Sequence, residues 1–423
     1  MNRSAIHSRR QFLGSLAATM VMAPMILRAA PRRERLQIAF IGYGKRAYGV
    51  MNHALGQKDV RIVAVCDVEG TRRAKAQEVV EKRYAEDRKS GAYQGCRSYV
   101  DYREMFEKED LDGVVIMTPD HLHVHPALLA ANHKIDIYCE KPLTHHIQEG
   151  RLLVSTVAKN QVIFQTGSQQ RSEFGGRFRT AVEMIHAGRI GQLKTIRVGV
   201  GSSPIRCDLP PQPKPDNVNW DLWLGPAPWR EYHEDLCPKG LHSHYPAFRK
   251  YEEYAGGMLA DMGAHHFDIA QWAMGMDTSG PVKIEPPAQG DSGLKFTYAN
   301  GTEMHHGGPG GCTFEGSEGS ISVDRTVLKS SKPDILLPLD AGAKRFTSPA
   351  DHFRDWIDCM KSRKSPICTA ETGHRSATVC HLANIAYKLR RPLIWDPVNE
   401  RFKDDADANA LTTRTNRSGW EYV

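Results

Sequence analysis

Short apolar runs separated by helical patterns dominate the first third of the chain. Leu36–Ile41, Arg61–Asp67, Gly113–Met117 and Ile135–Cys139 are rich in β-branched residues and too short for helices. Between them lie stretches with helical spacing, such as Thr71–Ala85 and Pro126–Asn132. Buried strands alternating with helices predict a doubly wound parallel sheet covered on both faces. After Gln161 the pattern changes. A helix is expected near Gly175–Ala187, a strand over Leu193–Val200, and a long proline-rich segment from Pro204 to Trp229. A helix near Gly257–Ala273 follows, then the strand-like pieces Leu294–Tyr298, Cys312–Glu315 and Ser320–Val323, and two late helices near Asp351–Met360 and Ala370–Arg390. This second part reads as an α/β domain with a mainly antiparallel, open sheet. The expected division is residues 1–30, 35–162, 163–396 and a polar tail, 397–423, lying on the surface.

Composition narrows the function classes. A chain of 423 residues, 40% hydrophobic and 25% charged, suits a two-domain globular protein. The formal charge of +7 includes Arg3, Arg9, Arg10 and Arg28 in an acid-free N-terminal segment, and the remainder carries only +3. That is too little, and too dispersed, for a nucleic-acid partner. Nine cysteines without a C-x-x-C pair argue against a disulfide framework or zinc knuckle and read as small core residues. The N-terminus reads as an address. Ser8-Arg9-Arg10-Gln11-Phe12-Leu13 precedes an apolar stretch ending at Leu27, the pattern of a twin-arginine export signal. The stretch is short for a spanning helix. The cleavage site is poor, because Leu27 and Arg28 precede Ala29 and Ala30. The expected location is the periplasm, with an uncleaved tether as the alternative.

Gly42-Tyr43-Gly44-Lys45-Arg46-Ala47 follows the first strand and opens a helix, fitting G-x-G-x-x-G/A. Gly42 permits the tight turn, Gly44 lets amides approach a pyrophosphate, and Ala47 keeps helix and strand close. Asp67 ends the second strand, where it can accept hydrogen bonds from both ribose hydroxyls and repel a 2′-phosphate. NAD is therefore expected rather than NADP, although Arg72 and Arg73 lie near enough to soften the repulsion.

Three more motifs carry chemistry. Thr118-Pro119-Asp120-His121-Leu122-His123 and Glu140-Lys141-Pro142 each follow a strand, on the sheet edge where ligands bind. The third is Gly256-Gly257-Met258-Leu259-Ala260-Asp261-Met262-Gly263-Ala264-His265-His266-Phe267-Asp268. Together they resemble the glucose–fructose oxidoreductase and inositol dehydrogenase (Gfo/Idh/MocA) family. The resemblance implies that Lys141 lies by the nicotinamide and takes part in proton relay, and that Asp261 and His265 orient substrate and act as general acid and base. It also implies a homo-oligomer packed through the open sheet.

The residues support the same chemistry. Oxidising an alcohol needs a base for the hydroxyl proton, and a histidine or a lysine of depressed pKa can serve. Asp261 and His265, four apart, share a helix face, whereas His266 is rotated about 100° away. The expected cofactor contacts are Gly42, Gly44, Lys45, Arg46, Asp67, Thr118, Pro119, His121, His123, Glu140 and Lys141. Arg171, His242 and His266 are candidate substrate contacts, with Gln170 beside Arg171. His123 serves either the nicotinamide or packing, and no metal site is expected. Trp220, Trp223 and Trp229 either stack on sugar rings or pin a loop. The expected function is NAD-dependent oxidation of a secondary hydroxyl on a sugar, glycoside or cyclitol. The alternatives are an NAD-dependent glycosidase or lyase working by transient oxidation, and a non-catalytic sugar- or NAD-binding module.

Overall fold

The computed structural model describes residues 33–346 and 349–422. The twin-arginine segment lies outside the described residues. The first sheet comprises β1 (Leu36–Ile41), β2 (Val60–Cys66), β3 (Arg97–Tyr99), β4 (Gly113–Ile116), β5 (Asp136–Cys139) and β6 (Phe164–Thr166). All pair in parallel, in the order β3-β2-β1-β4-β5-β6. This is a Rossmann sheet, with its switch point between β1 and β4. Every residue of β4, β5 and β6 is buried, as a strand covered on both faces requires.

Two strands of this sheet were not anticipated, for a simple reason. β3 and β6 have three residues each, too few to display a period. β6 also moves the boundary: the first sheet continues through Thr166, beyond the expected end at residue 162.

The second sheet holds β7 (Leu193–Gly199), β8 (Lys283–Glu285), β9 (Lys295–Thr297), β10 (Glu303–His306), β11 (Gly311–Gly316), β12 (Ser320–Val323), β13 (Leu328–Ser330), β14 (Leu393–Asp396) and β15 (Arg401–Phe402). Its order is β13-β12-β11-β7-β10-β9-β8-β14-β15. Only β7 and β10 pair in parallel. Alternate residues such as Ile196, Val198, Met304, Phe314 and Ile321 are buried in one core with the Gly257–Met274 and Ala370–Leu389 helices. The opposite face carries Arg197, Glu303, Thr313, Glu315 and Ser322 and is polar, the usual division of an antiparallel sheet.

The tail departs from expectation. Phe402 pairs with Trp395, and Ala408, Thr412 and Trp420 are buried. Trp420 packs with Leu122 and Leu222, so the C-terminus ties the two sheets' loops together. Its polar composition hid a few apolar anchors that do the packing. Among the described residues no helix is long and apolar enough to cross a membrane, and no group of three or more His, Cys, Asp or Glu side chains could hold a metal ion. All nine cysteines are free, and all but Cys207 are buried.

Candidate active site

At the end of β1, Gly42 has φ +89, and a Cβ there would lie 2.7 Å from the Met117 carbonyl oxygen. Only glycine fits this turn. The next helix, Lys45–Gly56, begins at Gly44 with no side-chain cap and no acid in its first turn. Its Ala47 amide donates to the Gly44 carbonyl at 2.9 Å, the Lys45 and Arg46 amides have no partner among the described residues, and a Cβ on Gly44 would meet no atom within 4 Å. Uncapped amides beside open space form an anion cradle. Asp67 Oδ2 accepts from the Tyr43 amide at 2.7 Å and Oδ1 from the Glu69 amide at 2.9 Å, which leaves a lone pair on Oδ2 for a ribose hydroxyl. Arg72 donates to Asp67 Oδ1 at 3.4 Å and to the Pro238 carbonyl at 2.7 Å, while Arg73 donates to the Asp67 carbonyl at 2.7 Å. Both guanidiniums are held by protein oxygens. The resulting cleft, about 910 Å³, contains Gly42, Gly44, Lys45, Arg46, Asp67, Thr118 and Pro119, with Trp223, Leu236, Pro238 and Phe248 from the second part of the chain. These residues fit a dinucleotide.

A second pocket shares Arg46, Met117, Thr118, Tyr245 and Arg249 with this cleft. The Glu140-Lys141-Pro142 turn, with a cis Lys141–Pro142 bond, puts Lys141 in its wall. Lys141 Nζ donates to Asp261 Oδ1 at 2.6 Å and to the Asp261 carbonyl at 2.8 Å. Burial raises the Asp261 carboxyl, but the cations of Lys141 and Arg249 outweigh it and hold it below the usual range. His265 lines the same pocket one helical turn on. Neither of its ring nitrogens has a hydrogen-bond partner among the described residues, and Nδ1 is fully buried. Burial, and then the Lys141 charge, push His265 well below its ordinary pKa. It is held as a neutral imidazole. Glu140 is buried; it accepts from Arg46 at 3.0 Å and Gln169 at 2.8 Å, which braces the turn against the glycine-loop helix.

Other sequence candidates fall elsewhere. His121 lines neither pocket: its Nε2 faces the Trp223 carbonyl at 2.9 Å and its ring packs on Trp223 and Tyr254. It supports the wall from behind. His123 lies between the Pro142 and Thr118 carbonyls, at 2.7 and 3.0 Å, fastening two loops of the second pocket. Arg171 lines neither pocket. It is buried, with ion pairs to Asp268 and Asp277 at 2.7 and 2.8 Å, because a buried cation needs anionic partners. His266 faces away, toward Gln170 and Cys312, as the rotation from His265 requires. His242 lines the dinucleotide cleft rather than the pocket beside Lys141. Trp220 and Trp223 are buried and stacked 4.6 Å apart, pinning the proline-rich segment, whereas Trp229 is exposed.

Sequence reasoning assigned no role to Asp120, Arg249 or Arg325, which also line the second pocket. Asp120 lies inside a motif already noted, and its position after β4 was the available signal. Burial pushes its carboxyl up to about 7. Arg249 and Arg325 sit in loops without a motif, and only the tertiary fold brings them in.

A Rossmann cleft joined to a pocket built on an open mixed sheet defines a two-domain dinucleotide-binding protein. Residues 36–168 match the family model for the oxidoreductase family NAD-binding Rossmann fold, and residues 203–422 match the C-terminal alpha/beta domain of the same family. The chain belongs to the Gfo/Idh/MocA oxidoreductase family, and its N-terminal domain is NAD-binding. It is 29% identical over 158 residues to 2,7-anhydro-N-acetylneuraminate hydratase of Mediterraneibacter gnavus, covering 36% of this chain and 37% of that protein. It is 24% identical over 240 residues to a glycosyl hydrolase family 109 protein of Stenotrophomonas maltophilia, covering 53% and 48%. The chain thus spans between about a third and a half of these relatives' lengths. In fold it is similar to myo-inositol 2-dehydrogenase from Lactobacillus plantarum, with TM-score 0.57, 17% identity, and 85% and 99% of the two chains covered. The WlbA dehydrogenase from Bordetella pertussis, solved with NADH and UDP-GlcNAcA, gives TM-score 0.59 and 14% identity over 86% and 99%.

Proposed function

We propose that the protein is an NAD-dependent oxidoreductase acting on a secondary hydroxyl of a sugar, glycoside or cyclitol. The observation that carries this reading is the Lys141–Asp261 pair beside an unpartnered, neutral His265, in a pocket open to the dinucleotide cleft. Bound NAD supplies the hydride acceptor. His265 accepts the hydroxyl proton, because its imidazole is neutral and unengaged. Lys141 donates an N–H to the substrate oxygen and so polarises the hydroxyl, and Asp261 fixes the ammonium in place. The test is turnover of a sugar and cyclitol panel by wild type and K141A. A rate within a few-fold of wild type for K141A would overturn the assignment.

A second reading, redox-neutral cleavage through transient oxidation, draws support from the glycosyl hydrolase family 109 and hydratase relatives and from Asp120, a carboxyl poised near neutrality in the same pocket. Release of an aryl aglycone without net NADH separates the two.

The twin-arginine motif supports export of the folded, cofactor-loaded protein to the periplasm, with NAD held as a retained group. The cleft walls from Trp223, Pro238 and Phe248 favour slow release. A dissociation half-life of seconds, or a cytosolic location in cell fractions, would count against this. The uncovered polar face of the second sheet is the surface we assign to a homo-oligomer. Light scattering at the mass of one chain would remove that assignment.

A further inference from the structure

The second pocket is lined by four cations, Arg46, Lys141, Arg249 and Arg325, and four carboxyl groups, Asp120, Glu140, Glu173 and Asp261, but not every cation is paired. Arg46 is matched by Glu140, and Lys141 by Asp261. Asp261 is also the nearest carboxylate to Arg249, at 3.7 Å, beyond hydrogen-bond length, and Arg249 Nη1 is buried without a partner. Arg325 has no carboxylate partner among the described residues. Its one hydrogen bond runs from Nε to Gln170 Oε1 at 3.1 Å, and its guanidinium lies 5.0 Å from the Phe174 ring centre. The terminal amino groups of its fork are left free. Two further acids, Asp120 and Glu173, line the pocket, burial raises both carboxyls, and among the described residues neither forms an ion pair with Arg249 or Arg325.

Arg325 is also held in place. It sits in the turn between β12 and β13, where Asp324 Oδ1 accepts from the Thr326 and Val327 amides at 2.6 and 2.7 Å. It lines the pocket beside His265 but not the dinucleotide cleft, so the cofactor's phosphates do not account for it. A planar guanidinium stacked on an aromatic ring with its fork open is the arrangement that reads a carboxylate in two-point fashion.

We infer that the pocket takes a sugar bearing a carboxylate, gripped by Arg325 with Arg249 beside it. This rests on the proposed function for the identity of the reacting hydroxyl, but the acid grip is measurable by binding alone.

The experiment is calorimetric titration of the purified, NAD-loaded protein with glucuronate and galacturonate, against glucose, galactose and their phosphates. At least one uronate should bind ten-fold or more tightly than its neutral partner and its phosphate. That preference should vanish in R325Q and survive in part in R325K, which keeps the charge and loses the fork. Equal binding of acid and neutral sugar, no uronate binding, or an acid preference that persists in R325Q overturns the inference. Tighter binding of a phosphate replaces the carboxylate with a different anion. Oxidation of a neutral sugar with no advantage for its acid would sink this inference alone. A uronate held through Arg325 but never oxidised would sink the proposed function alone.

Discussion

Lys141 Nζ lies 2.6 Å from Asp261 Oδ1 and 2.8 Å from the Asp261 carbonyl oxygen, joining the end of a Rossmann strand to a helix that packs on the second sheet. Two bonds from one ammonium to one residue fix where the lysine stands relative to His265. K141A should lower kcat by about 100-fold or more, the range for a lost acid–base group, with NAD still bound. D261N should lower it less, because the lysine stays present but loses its anionic anchor. Steady-state kinetics beside the absorbance of bound cofactor checks both. Loss of NAD in K141A would show that the lysine serves binding instead.

Asp67 sets the cofactor preference. D67N removes the charge and keeps an oxygen for only one of the Tyr43 and Glu69 amides, which bond different oxygens of the carboxylate. NAD binding should weaken by about 1.5–3 kcal/mol, the worth of a charge-assisted hydrogen bond, and the gap between NAD and NADP should narrow. Fluorescence titration of the apo variant measures it. An unchanged preference would move the discrimination elsewhere in the cleft.

Asp120 gives a pH signature. Burial raises its carboxyl from 3.8 to about 7. An acid with a raised folded pKa contributes its stability fully below the unfolded value and loses it as pH climbs through the folded one. D120N cannot ionise. Its melting temperature should match wild type near pH 4 and exceed it at about pH 8. A difference that stays constant across that range would show that Asp120 titrates normally.

Trp420 should be a stability residue despite standing three positions from the C-terminus. It is 6% exposed, packs with Leu122 and Leu222, and accepts a hydrogen bond from His125 through its carbonyl. W420A should cost about 3 kcal/mol in urea unfolding, at the lower end for a buried tryptophan. A loss under about 0.5 kcal/mol, the scale of a surface substitution, would mean the tail is not docked in solution.

Much of this was legible in the sequence where local pattern and tertiary role coincide. β1, β2, β4 and β5 announce themselves because strands buried on both faces must be apolar along their length. Lys141, Asp261 and His265 stand in the motifs that carry the family resemblance, and helix periodicity separates His265 from His266. The misses have common physical causes. β3 and β6 are too short to carry a period, and the tail's packing depends on isolated residues such as Phe402 and Trp420. Arg171 looked like a substrate contact because it ends a strand at the domain junction, but its partners Asp268 and Asp277 are distant in sequence. Arg249 and Arg325 reach the pocket from loops whose positions only the folded chain defines.

The most direct test of the account uses a substrate deuterated at its secondary alcohol carbon. The NAD-loaded protein is incubated with it, and the cofactor and sugar are analysed by mass spectrometry. Both the dehydrogenase and the redox-neutral reading predict deuterium passing from the carbon to the cofactor in wild type, and about 100-fold or more slowly in K141A. Deuterium that stays on the sugar in a cofactor-loaded wild-type complex, or that transfers in K141A at the wild-type rate, would contradict the central claim that Lys141, Asp261 and His265 form the catalytic centre.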